Sequence, residues 1–398
     1  MTNLDLKYFK NLSLSELGLW LLIPLASLSS RTWLPVPPTL LLLLGAILCW
    51  AIQQMNGKWK MENGELSYLA KPHSQFQTII RVFSLFCLYF SVSQYLMGTA
   101  FFRYMGVVFA PMYLIFVLIF SSDVSSDFLK KLGDKFIRYS LVILCIEAIL
   151  RYGYSFWCII QGENHYHGIY QFKFDGPMYI ASNMLAGHII ALLFFILWWG
   201  HTHKQSMKKE LLVAFILLIL TLSRASIPAV FAGLAYYCFF RNLNWKKALL
   251  VFFSLCFVAI LSLWALKFLL SDGSFQTKFL ILDEALDYYK TANLKNILFG
   301  LGLSETEQIA RFTYSAHNYF LLFLMETGVF GLLFLGITWF VLVKATNGAA
   351  MIILLPYFVQ ISAEAATFIP YFYVIMALMI TNKLKIENDS KKNTLLLD

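Results

Sequence analysis

Two short stretches of this sequence carry residue types suited to group-transfer chemistry. In TLSRASIPAV, Arg224 sits in a tight turn between Ser223 and Ser226, with Pro228 just beyond. A guanidinium confined there is a fixed fork for a phosphate or pyrophosphate. An arginine at a membrane interface can also simply extend its head group to water over an apolar stem. In SAHNYFLLFLMETGVFGLL, residues 315–333, His317 stands at a helix entrance. An imidazole takes a proton near neutral pH and so can serve as a general base, or it can cap the helix beside Asn318. Glu326 is the obvious orienting partner for that base. In a straight helix, however, it faces half a turn away and lies about 13 Å deeper. A packing or hydrogen-bonding role suits it better, with Gly328 and Gly331 allowing close helix approach.

Further candidates lie between and before these stretches. Lys278 precedes the acids Asp283, Glu284 and Asp287, the turn FGLGL follows at 299–303, and Arg311 comes shortly before His317. The acids recur at one-turn spacing on what reads as a short amphipathic helix with a solvated face, and nothing in their spacing gathers them for a metal. A glycine-rich turn after a helix is ordinarily a C-cap, and the GxGxxG spacing of a dinucleotide site is absent. Earlier, QGENHYHGIYQFKFDGPMYIASN holds His165 and His167 without a third metal ligand nearby. It also holds Lys173, Gly176 and Asn183: a cation, a turn and an amide at a helix entrance. Glu364, at a later turn, reads either as an acid or base or, the better fit, as a hydrogen-bonded turn residue.

These residues must be positioned by helices that cross a bilayer. Of 398 residues, 59% are hydrophobic, 17% aromatic and only 13% charged, and the mean hydropathy is +0.68. Soluble domains carry about a quarter charged residues, which excludes an ordinary water-soluble enzyme. Six cysteines form no CxxC pair, so neither a disulfide framework nor a zinc site is indicated. The expected fold is all-α, a polytopic integral membrane protein of about twelve transmembrane helices. The spans fall near 14–30, 34–55, 77–97, 104–121, 138–160, 179–200, 211–223, 226–240, 247–270, 315–343, 346–363 and 366–382. The first reads as a retained helix rather than a signal peptide. One membrane domain covers residues 1–383, with outer loops at 161–178 and, much longer, 271–314, and a polar cytoplasmic tail at 384–398.

Basic residues orient such a chain, because Lys and Arg are retained on the cytoplasmic side. With both termini inside, the inner connections hold Lys58, Lys60, the group Lys130, Lys131, Lys135 and Arg138, then Lys204, Lys208, Lys209, Lys344, Lys383 and Lys385. The outer ones hold far fewer. Topology thus accounts for the net charge of +9, and no nucleic-acid partner is needed. The candidate residues then gather at the outer rim, whereas charges near the midplane are few: Glu147 and Arg151, one helical turn apart and able to pair, and Glu326. A transporter or flippase for lipid-linked sugars, the reading from another class, would favour the midplane.

Four stretches, FKFDGPMYIASNMLAG at 172–187, TLSRASIPA at 221–229, TKFLILDEAL with ILFGLG at 277–302, and SAHNYFLLFLMETGVFG at 315–331, together resemble the O-antigen polymerase and O-antigen ligase family of bacterial inner-membrane glycosyltransferases. The resemblance runs over roughly residues 165–340. It implies transfer of a glycan carried on undecaprenyl diphosphate to a saccharide acceptor at the periplasmic face, with neither a nucleotide sugar nor a metal or other cofactor. It matches Arg224 to the family's arginine at the turn and His317 to its catalytic histidine, with Asn318 beside it against the glycan. Lys278, and in the earlier loop Lys173, stand where the family has arginines. Lysine keeps the charge but loses the bidentate fork, which Arg311 would compensate. The reading that follows is a repeat-unit polymerase of O-antigen or a related surface polysaccharide. The alternative is a ligase that moves the glycan to lipid A core.

Overall fold

The structure is a computed structural model that describes residues 12–28, 38–62, 74–162, 172–173, 176, 178–179, 181–240, 273–303, 318–362 and 369–395. His317, Arg311, His165, His167, Glu364 and the span read at 247–270 lie outside the described residues, as does the side chain of Lys278. The described chain is helical: α1 Leu14–Leu22, α2 Pro38–Glu62, α3 Ser74–Leu96, α4 Phe101–Ser121, α5 Ser126–Ile160, α6 Ser182–Thr202 and α7 Lys208–Leu220. Then come α8 Ser226–Phe240, α9 Gly273–Thr291, α10 Leu294–Phe299, α11 Tyr319–Ala345, α12 Met351–Ile361 and α13 Pro370–Leu395. Among them α2, α3, α5, α6 and α11 contain stretches long and apolar enough to cross a membrane. The protein is a helical membrane protein.

The bundle is built around α6. Some 78% of its apolar stretch is buried, against 22% for α2, so α6 is apolar all round because protein surrounds it, whereas α2 turns much of its surface outward. Helix α12 packs against α6 and α8, and α13 against α4, α5 and α6. Exposed leucines on α2 and α3, such as Leu41, Leu48, Leu85 and Leu88, mark a periphery suited to lipid.

Polar contacts gather at two opposite ends. At one, Ser15 Oγ and Gln53 Nε2 each donate to Asp123 Oδ2 at 3.0 Å. There too Lys385 Nζ donates to Val124 O, Lys383 Nζ donates to Ala345 O at 2.9 Å, and Asp134 Oδ1 accepts from Trp199 Nε1 and Gln205 Nε2 at 2.8 Å. The start of α1 and the later part of α13 therefore meet at one end. It is the end at which the basic connections are grouped. The other end carries the α7–α8 turn, the head of α6 and the start of α11.

Four elements depart from the expected boundaries. Helix α1 stops at Leu22 rather than near residue 30, because Pro24 has no N–H with which to continue the ladder. Helix α5 begins at Ser126 with a Ser125 cap donated to by Phe128 N at 3.2 Å. At 35 residues it is about 52 Å long, more than a ~30 Å hydrocarbon core needs, so its lysine-bearing first third extends beyond it. Helix α13 continues through the polar tail to Leu395. The straight span expected at 315–343 is broken: inside α11, Gly328 has φ 67° and ψ −173°.

Candidate active site

Helix α11 opens at Tyr319, two positions after His317 in the sequence. Asn318 is its N-cap, extended at φ −148° and ψ 108°, and its Oδ1 accepts from Phe320 N at 3.1 Å and Leu321 N at 3.2 Å. The cap satisfies two of the amides a helix start leaves unpaired, and it leaves the side-chain Nδ2 as the donor that Asn318 can offer elsewhere. Asn318 thus caps the positive end of a half-helix, 319–327, that ends where Gly328 breaks the ladder.

The break is where α10 docks. Leu301 N donates to Met325 O at 2.9 Å and Gly302 N to Glu326 O at 3.0 Å, so the turn FGLGL supplies donors to carbonyls of the interrupted helix. Gly300 and Gly302 have φ of 80° and 104°. A Cβ on Gly300 would sit 2.3 Å from the carbonyl carbon of Glu326, and one on Gly328 would sit 2.4 Å from that of Leu298. Backbone lies on backbone in both directions, and only glycine fits. Gly331 acts differently, since its missing Cβ makes room for Thr327, whose Oγ1 donates to Phe323 O at 2.6 Å. Leu303 N then donates to Oε1 of buried Gln94 at 2.7 Å, which ties the end of the turn to α3. The two glycine-containing stretches that sequence treats as a C-cap and a packing aid are one joint.

Helix α9, which carries Lys278, lies against the same half-helix: Ala285, Tyr288 and Tyr289 pack with Leu321, Leu322 and Met325. Two of its three acids stay on the solvated side as expected, while Glu284 is half-buried. Asp283 and Asp287 are exposed, and Asp287 Oδ1 accepts from Lys290 Nζ at 2.8 Å, a hydrogen bond that raises the lysine above its ordinary pKa.

The Arg224 turn is built from short local bonds. Leu222 takes φ 52°, Ser226 N donates to Ser223 O at 3.3 Å, Ile227 N to Arg224 O at 3.3 Å, and Ser226 Oγ also donates to Ser223 O. Arg224 is exposed at its tip, while Ser223 and Ser226 are buried. From α12, Gln360 Nε2 donates to Ser223 Oγ at 3.1 Å and to Asn183 O at 3.2 Å. It thus fastens the arginine turn to the head of α6.

Lys173 reaches the same end by another anchor. Arg151 and Glu147, 1% and 0% exposed, form the expected pair, at 2.9 Å. Arg151 Nη1 donates to Lys173 O at 3.0 Å and Nη2 to Tyr179 O at 2.5 Å, while Glu147 Oε2 accepts from Met178 N at 2.9 Å. Gly176 lies directly over the pair, and a Cβ there would fall 2.1 Å from Glu147 Oε1. Lys173 and the Arg224 turn are therefore both pinned to one end through α5, α6 and α12. Sequence reasoning singled out Lys173, Arg224, Asn183 and the buried pair but not the anchoring amides Gln94 and Gln360. An amide alone inside the apolar run MIILLPYFVQI was the available signal.

Residues 211–336, from α7 through the joint, match the family model described as O-antigen ligase. This part of the chain is similar to O-antigen ligases. It contains the Arg224 turn, α9, FGLGL and the start of α11, three of the four stretches on which the resemblance rests. No curated protein matches the chain.

Proposed function

We propose that this protein transfers a glycan from undecaprenyl diphosphate to a saccharide hydroxyl at the periplasmic face of the bacterial inner membrane, with both termini cytoplasmic. The observation that carries the reading is the family match over 211–336, within which the arginine turn and the histidine-led helix both fall. His317 takes the proton of the attacking hydroxyl, whose oxygen forms a bond to the sugar C1 as the C1–O bond to the diphosphate breaks. The released electron pair stays on the diphosphate, where Arg224, Arg311, Lys278 and Lys173 stabilise the charge and Asn318 contacts the glycan. Displacement in one step inverts the anomeric carbon. No metal and no other cofactor enters the reaction.

We assign the acceptor as a further lipid-linked glycan, which makes the reaction repeat-unit polymerisation. Ligation to lipid A core is the second reading, favoured by the description of the matched model. A flippase for lipid-linked sugars is the third, and the placement of Lys173 and Arg224 at one end rather than at mid-depth speaks against it.

The test is genetic. In a strain lacking the gene, complemented with His317→Ala or Arg224→Ala, lipopolysaccharide is resolved by size. Polymerisation predicts core bearing a single repeat, and ligation predicts bare core with glycan accumulating on its carrier. Normal long chains from both well-expressed variants overturn the assignment.

A further inference from the structure

Beneath the Lys173 and Arg224 anchors, α5, α6, α12 and α13 enclose a set of buried polar side chains. The His188 ring of α6 lies 4.8 Å from that of Tyr179, 5.9 Å from Tyr371 and 6.4 Å from Tyr357, centroid to centroid. Tyr371 in turn faces Ser140 of α5, and Tyr179 is reached through its carbonyl by Arg151. Tyr371 and Ser140 reach one another, and the His188 ring reaches the Met184 backbone, only loosely; by normal hydrogen-bond geometry neither nitrogen of His188, nor the hydroxyls of Tyr179, Tyr371 and Ser140, nor Nε of Arg151, nor Oε1 of Gln360 is paired with a described protein group. Each of these residues is at most 4% exposed.

So many adjacent orphans are not a stable dry arrangement, because every one of them forfeits a hydrogen bond it makes in water. The residues also fix the kind of occupant. Side chains this deeply buried offer a bulky group such as a sugar almost no accessible surface. The charged pair beside them is already neutralised within itself, so no ion is called for, and the orphans include donors and acceptors in close company, as a molecule that both donates and accepts requires. We propose that the crossing of α5, α6, α12 and α13 holds a cluster of ordered water. With about three hydrogen bonds per buried water, the orphaned atoms call for about two or three molecules. The proposal is independent of the reaction assigned above, since it rests on the buried residues alone.

The test uses the full-length protein in lipid nanodiscs, exposed to a brief X-ray pulse that makes hydroxyl radicals from water in place, followed by mass spectrometry of the side chains. Tyr179, His188 and Tyr371 are expected to be oxidised despite their burial. Phe194 and Phe195, equally buried on α6, serve as the dry reference and are expected to stay unmodified. Replacing Tyr371→Phe removes one partner and lowers oxidation of His188 and Tyr179. The proposal is overturned if the three residues are as unreactive as the phenylalanines in the unaltered protein. It is equally overturned if Tyr371→Phe leaves the other two oxidised to the same extent, since solvent would then be reaching them separately.

Discussion

The end of the bundle that carries the candidate residues is assembled in two ways. Around Lys173 and Arg224 the fastening is by side chains: Arg151 and Glu147 grip one loop, and Gln360 grips the turn and the head of α6. At the joint between α10 and α11 the hydrogen bonds run from backbone to backbone, with carbonyls of Met325 and Glu326 accepting amides of Leu301 and Gly302. The first kind of anchor should fail when chemistry is changed at constant size. The second should fail when a single atom is added, whatever its chemistry.

Gly328→Ala is the sharpest way to break that contrast and carries the largest expected effect. The new Cβ meets the backbone of Leu298 at 2.4 Å, in a residue held at φ 67°. Neither obstacle is a flexible side-chain tip, so the joint must open, and a loss above about 4 kcal/mol is expected. Gly336→Ala on the same helix, where a Cβ meets nothing within 4 Å, is the control. Thermal midpoints of the detergent-extracted protein should separate the two, with Gly336→Ala indistinguishable from the parent. Equal behaviour would mean that glycine is not what makes the joint.

Glu147→Ala tests the other kind of anchor. Removing one partner of a buried pair leaves Arg151 as an uncompensated charge and costs about 3–5 kcal/mol. The double change Glu147→Leu with Arg151→Leu removes both charges and is expected to recover much of that stability. It restores neither the bonds to Lys173 O and Tyr179 O nor the acceptor for Met178 N. Thermal midpoint should therefore recover in the double variant while glycan transfer does not. Recovery of both would assign the pair no part in placing the loop.

How much of this is legible in the sequence follows the same division. Side-chain anchors leave a trace there: two ionisable residues one turn apart in an apolar span predict the Glu147–Arg151 pair, and the serines and proline around Arg224 predict its turn. The grouping of basic connections at one end is also legible, because it is written in composition. A backbone joint leaves no such trace. Glu326, Thr327 and Gly328 interrupt the apolar run without saying that the helix breaks there, and nothing in FGLGL says which carbonyls its amides will meet. The long-range role of Gln360 is equally silent, since an amide in a span announces a partner without naming it.

Gln360→Leu is a near-isosteric change with a smaller expected effect. It deprives buried Ser223 Oγ of its donor and Asn183 O of an amide, a loss of about 1–3 kcal/mol. The bond it breaks holds the Arg224 turn, so shortened surface polysaccharide is expected beside only a modest drop in thermal midpoint. Unchanged chain length would separate the turn from the reaction.

The smallest effect is the most informative about Asn318, which has two atoms and two possible duties. Its Oδ1 caps α11, and removal of an N-cap acceptor costs about 0.5–2 kcal/mol, so Asn318→Ala lowers the thermal midpoint slightly and loosens the residue just before the helix. Asn318→Asp keeps an acceptor in the same place and adds a negative charge at the helix N-terminus, which the macrodipole favours. What it removes is the Nδ2 donor, and it sets a carboxylate near where a diphosphate would lie. If Asn318 serves only as a cap, the aspartate variant keeps both stability and polysaccharide length. If its amide contacts the glycan, that variant keeps the thermal midpoint and loses the product. The alanine variant, which gives up cap and donor together, cannot make this distinction.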